Sequence, residues 1–135
     1  MITNNFLLNT ASGNVNWSTD TVYVCLFTSG AMLDVNSGIY NNTNELSTGY
    51  GYTRFNKQPT NKTISLDNNQ VVYDCDNISW TATGGSIGPA RYAAFVTSNS
   101  GIINIIDFIT DQTATNGSNF NININTSGLF RLYNI

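Results

Sequence analysis

The segment NFNININT, residues 119–126, sets apolar Phe120, Ile122 and Ile124 between Asn119, Asn121, Asn123 and Asn125. A period of two marks a β-strand with one buried face, because successive side chains leave a strand on opposite sides. A helix would scatter the same residues around its circumference. The constraint recurs along the chain. TVYVCLFT (21–28) is almost entirely β-branched, aromatic and apolar, which predicts a central strand covered on both faces.

Further runs follow at short intervals. GYGYTRFNKQ (49–58) reads as a strand with Tyr50, Tyr52 and Arg54 on one face and Thr53 and Phe55 on the other. KTISLD (62–67) and VVYDCD (71–76) flank NNQ and predict a hairpin. ISWTA (78–82) is another short strand. RYAAFVTS (91–98) and IINIIDFI (102–109) flank NSG as a second hairpin, and NFNININT with LFRLYNI make a last one across Ser127-Gly128. TNNFLLN predicts a short N-terminal helix or turn, with Thr3 or Asn4 as N-cap. SGAMLDVNSGIYNNTNE reads as a long exposed loop. The expected fold is all-β: an antiparallel β-sandwich, immunoglobulin-like or jelly-roll-like, of about eight to nine short strands. A single domain is expected over 1–135, with residues 1–18 as a helix or an extended docking arm.

Composition narrows the function. Apolar residues are 41% of the chain, enough for a normal core, but charged residues are only 10%, against roughly 25% in ordinary soluble domains. Asn, Thr and Ser fill the gap. An amide and hydroxyl surface has little charge repulsion and suits a crowded assembly or ligands read by hydrogen bonds; codon bias toward Asn explains the excess equally well. Five Lys and Arg, with net charge −3, argue against phosphate-backbone binding and against anionic membranes. No run of apolar residues is long enough for a membrane helix. MITNNFLL lacks a basic and then apolar leader pattern, so synthesis in a reducing compartment is the default expectation. Cys25 and Cys75 then read as small buried thiols.

Chemistry finds few footholds. The chain has no histidine, which removes Ser-His-Asp and Cys-His catalysis and most zinc sites. TGGSIGPA has glycines but no following Lys and helix, so it reads as a turn. Asp74 and Asp76 either share a cation such as calcium or sit at a strand end facing water. Arg91 is placed to pair with Asp107 across the second hairpin. Trp80 lies in an alternating strand and is expected in the core; Trp17 lies in a polar loop and is the better exposed aromatic, a candidate stacking platform with Tyr40 or Tyr50. Phe6, Leu7 and Leu8 either dock on a neighbour or cap the domain's own core. Asn121 and Asn123 are candidate contacts on the asparagine face. No catalytic residue, metal or cofactor is expected.

In order along the chain, FLLNTASGNVNWSTDTVYVCLFTS, NELSTGYGYTRFN, NISWTATGGSIGPARYAAFVTSNSGIINIIDF and FNININTSGLFRLYNI resemble the successive blocks of a family of small tailed-bacteriophage virion proteins. The resemblance covers nearly the whole chain. This sequence departs from it in its asparagine content and in the long MLDVNSGIYNNT loop. It implies a non-enzymatic structural protein of β-sandwich fold, made in the host cytoplasm and carried on the virion. A head decoration or cement protein bound to the major capsid protein is the leading expectation, with tail, collar or head-fibre association as the alternative. A carbohydrate-binding module that recognises a host-surface glycan is a further alternative. Other virion proteins and further copies of this chain are the implied partners, with no nucleic acid and no membrane.

Overall fold

The computed structural model describes residues 1–133. One helix, α1 (Asn4–Ala11), precedes eight strands: β1 (Val22–Phe27), β2 (Thr63–Asp67), β3 (Gln70–Asp74), β4 (Ile78–Thr81), β5 (Ile87–Thr97), β6 (Ile102–Ala114), β7 (Asn119–Ile122) and β8 (Phe130–Tyr133). They form three antiparallel sheets in the orders β1-β5-β6, β2-β3-β8 and β4-β7. The all-β, sandwich-like fold with a short N-terminal helix is the one expected.

Two local hairpins form as their turns dictate. β2 and β3 join through Asn68 and Asn69, both at positive φ (47° and 65°), the conformation that matches strand twist in a two-residue turn. β5 and β6 join at the NSG turn, and both outrun their expected limits because bulges let the ladder bend and continue. β5 takes the centre of its sheet. β1 is buried on both faces as expected, but it lies at the sheet's margin, where isolated bridges tie it to Lys57 and Glu45.

One expected strand and one expected pairing are corrected. Residues 49–58 form turns, with Tyr50 (φ 57°) and Phe55 (φ 49°) in the left-handed region, which breaks strand alternation. Gly51 (φ 98°) sits so close to β4 that a Cβ there would meet the Thr81 carbonyl oxygen at 2.0 Å. The last hairpin does not form either: β7 pairs with β4, and β8 pairs with β3.

The main core lies where the three sheets meet and draws on Phe6, Trp17, Leu26, Tyr73, Trp80, Phe95 and Phe120. A second cluster, with Phe27, Tyr92, Val96 and Ile105, lies on the other face of β1-β5-β6. The 29–58 segment covers it through Leu33, Tyr40 and Phe55, so this long connection is a lid on the sheet as well as an exposed loop.

The first residues belong to this same body. Thr3 is the N-cap: its hydroxyl accepts from Phe6 N–H at 3.1 Å and donates to the Ile102 carbonyl at 2.5 Å. The Thr3 N–H reaches Ile103 O and the terminal ammonium reaches Ile105 O at 2.6 Å. The expected docking arm is thus laid along its own β6.

Candidate functional site

The residues expected to dock separate into two groups. Phe6 is buried, edge-on to Tyr73 and Phe130 at centroid distances of 5.7 and 5.5 Å, so it belongs to this chain's own core. Leu7 and Leu8 face solvent on the other side of α1. Trp17 is 1% exposed, which corrects the expectation of an exposed stacking platform. Its ring packs against Tyr73, Phe95 and Phe130, its indole N–H donates to Asp74 O at 3.2 Å, and the Lys62 ammonium sits 5.6 Å above it. A polar local sequence hid a residue whose partners come from β3, β5 and β8. Trp80 is buried as expected.

The asparagine face of β7 is exposed. Across the β4–β7 ladder, Ser79 Oγ donates to Asn121 Oδ1 at 2.8 Å and Thr81 Oγ1 donates to Asn119 Oδ1 at 2.9 Å. These are cross-strand pairs of side chains on one solvent face. The amide oxygens are occupied by this chain, and the amide N–H groups remain for water or a neighbour. Asn123 is exposed just beyond the strand.

The most unusual surface is one that sequence reading did not single out. All five residues of β2 are exposed, and β2 is an outer strand of its sheet, so its far edge has no strand partner among the described residues. Leu66 is 76% exposed and Ile64 43%. In register, Ile64 lies beside Tyr73 and then Phe130, while Leu66 lies beside Val71 and then Leu132. The apolar face that packs on the core at β3 and β8 therefore runs outward to β2, where it is largely uncovered. β2 carries no proline or bulge, and Asp67 at its end is its only charge. Natural sheets usually block such an edge with charge, proline or a bulge, because unpaired N–H and C=O groups recruit other strands. The alternation Thr63-Ile64-Ser65-Leu66 was legible; that no partner covers it was not.

A buried carboxylate was also missed. Glu45 is 3% exposed. It accepts from the Tyr40 and Tyr52 hydroxyls and from Phe55 N–H at 3.3 Å. The Tyr52 oxygen in turn accepts from Leu26 N–H at 2.9 Å, and Arg54 donates to the carbonyls of Glu45 and Leu46, each at 3.0 Å. Burial first, and then the bond to Glu45, push both phenols far above their ordinary pKa, so they remain donors. Burial and the nearby Glu45 charge raise the Cys25 thiol as well. Every Glu45 oxygen has a partner inside the chain. The network pins the 29–58 segment to β1. NNTNELSTGYGY has no period that would have flagged it.

The remaining candidates are structural. Arg91 Nε meets Asp107 Oδ1 at 2.6 Å across β5–β6, the pairing expected. Asp74 Oδ1 accepts from Cys75 N–H, whereas Asp76 Oδ2 accepts from Thr60 and Asn61, so the two carboxylates serve different partners. Among the described residues no group of three or more His, Cys, Asp or Glu side chains is placed to hold a metal ion. No family model, curated protein or solved structure matches the chain.

Proposed function

We propose that this chain is a non-enzymatic structural protein of a tailed-phage virion, a decoration or cement protein that docks on the major capsid protein lattice. The observation that carries this reading is the uncovered edge of β2 with Ile64 and Leu66 beside it. A strand from a neighbouring subunit added there would satisfy the free backbone groups and bury the apolar row together. The rest of the surface supports the same use. Amides and hydroxyls cost less to desolvate against a neighbour than charges do, and only 10% of the residues are charged. The resemblance of the ordered sequence blocks to small virion proteins points the same way.

Tail, collar or head-fibre attachment differs in copy number, not in chemistry. The carbohydrate-module reading loses Trp17, its leading platform, to the core, and of its two tyrosine candidates Tyr50 is exposed while Tyr40 is half-buried. The test is co-sedimentation of purified protein with assembled particles of its source. Uptake near the capsid-subunit number, or a simple fraction of it, supports decoration, and Leu66→Lys should abolish that uptake. A few copies per particle would move the protein to the tail or collar. No uptake would sink the virion reading.

A further inference from the structure

Between α1 and the β5–β6 turn lies a crevice of about 350 Å³, at the small end of the range of roughly 300–1,000 Å³ usual for ligand pockets. Phe6 and Ile103 close its base from the core, and the apolar surface it opens to solvent comes from Val15 and Ile39. Its walls are carboxamides and hydroxyls: Asn9 from the helix, Asn14 and Asp20 from the segment after it, and Ser98 and Asn99 from the turn. The frame is held by bonds that use only part of this polar capacity. Asn5 Nδ2 donates to Gly38 O, Asn9 Nδ2 reaches back to Asn5, and Gly101 N–H is held by Thr97 Oγ1. Asp20 Oδ2 accepts from Asn16 N–H. Asp20 Oδ1, Asn9 Oδ1 and the side chains of Asn14, Ser98 and Asn99 have no hydrogen-bond partner among the described residues.

We infer that this crevice binds a small neutral saccharide, one or two rings in size. The chemistry excludes its competitors. No Lys or Arg lines the crevice, so a phosphate or carboxylate ligand would find no charge-assisted donor. Asp20 is the single carboxylate among its oxygens, which leaves little negative charge to hold a calcium ion. No open aromatic face is present for a base to stack on. Carboxamides and hydroxyls each offer donors and acceptors together, as vicinal sugar hydroxyls do, and the apolar side chains of half-buried Val15 and exposed Ile39 suit the C–H face of a ring. The site is on α1 and the β5–β6 turn, away from β2, so it stands or falls separately from virion docking.

The test is saturation-transfer NMR with the methyl glycosides of glucose, galactose and N-acetylglucosamine, each up to about 10 mM, a range that captures weak ligands. Amide shifts of the labelled protein are followed in parallel. The expected result is transfer to at least one glycoside, with shifts confined to residues 9–20 and 97–101 and affinity lowered about tenfold by Asn14→Ala or Asn99→Ala. Both substitutions are on exposed loop positions, so the fold persists and its amide spectrum verifies it. No transfer from any glycoside, shifts that map elsewhere, or unchanged affinity in both variants would overturn the inference.

Discussion

The Tyr52 hydroxyl donates to the Glu45 carboxylate across 2.5 Å while its oxygen accepts from the backbone N–H of Leu26. One phenol thus joins a buried charge to a buried strand edge. Tyr52→Phe leaves Leu26 N–H and one Glu45 oxygen without that partner and should cost about 1–3 kcal/mol. Glu45→Gln presents an amide donor to hydroxyls that are already donors and should cost a similar amount. Denaturant unfolding of both single variants and the double variant checks this. A coupling of about 0.5–3 kcal/mol is expected, because the two residues share one network; additive losses would show that they act apart.

Trp17→Ala should be among the most damaging single changes, at about 3–5 kcal/mol, because it empties the junction of Tyr73, Phe95 and Phe130. Leu8→Ala, on the exposed side of α1, should stay within about ±0.5 kcal/mol. Thermal melts of the pair test whether the aromatic is core or surface.

Leu66→Lys on β2 should leave the unfolding midpoint nearly unchanged, within about ±0.5 kcal/mol, since the side chain buries little in its own domain. The effect should appear only in association, read as sedimentation at raised protein concentration or as particle uptake. A clear loss of monomer stability would mean that β2 packs more tightly than its exposure indicates.

Arg91 holds the Asp107 carboxyl below its ordinary pKa, with the Ile109 N–H bond adding to the effect. A carboxyl depressed on folding contributes stability that is present above its unfolded pKa of about 3.9 and lost as pH falls through the lower folded value. Arg91→Gln should therefore lower the neutral-pH stability slightly and shrink the loss between about pH 5 and pH 2 by the same small amount, because solvent still screens this half-buried pair. Unfolding curves of the two proteins across that range decide it.

Both cysteines are buried and unbridged. Burial, with Asp74 and Asp76 next, pushes the Cys75 thiol up to about 12, so almost no thiolate exists near pH 8. A chromogenic thiol reagent should label the native protein orders of magnitude more slowly than an ordinary thiol of pKa about 8.5, and titrate two groups once denaturant is added. Rapid labelling of the native form would indicate local opening.

The parts of the fold that depend on neighbours in sequence were legible beforehand. Alternation marked β2, β4 and β7; the NNQ and NSG turns specified two hairpins; Thr3 capped α1; and the antiparallel run of the second hairpin brought Arg91 to Asp107, beside a bulge that sets Asp107 opposite Tyr92. Each rests on backbone geometry within a few residues, where period and turn chemistry act directly.

Tertiary structure decided the rest, because burial is settled by segments far apart in the chain. Trp17 sits in a polar stretch yet is enclosed by β3, β5 and β8, and Glu45 is desolvated because Tyr40, Tyr52 and Phe55 close over it. β7 and β8 had the pattern of a hairpin, but each found a better partner, β4 for one and β3 for the other. Period says which side chains share a face, and only the assembled sheets say whether anything covers that face: Phe130 and Ile64 lie in one cross-strand row, the first packed on Phe6 against the core and the second 43% exposed at the sheet edge.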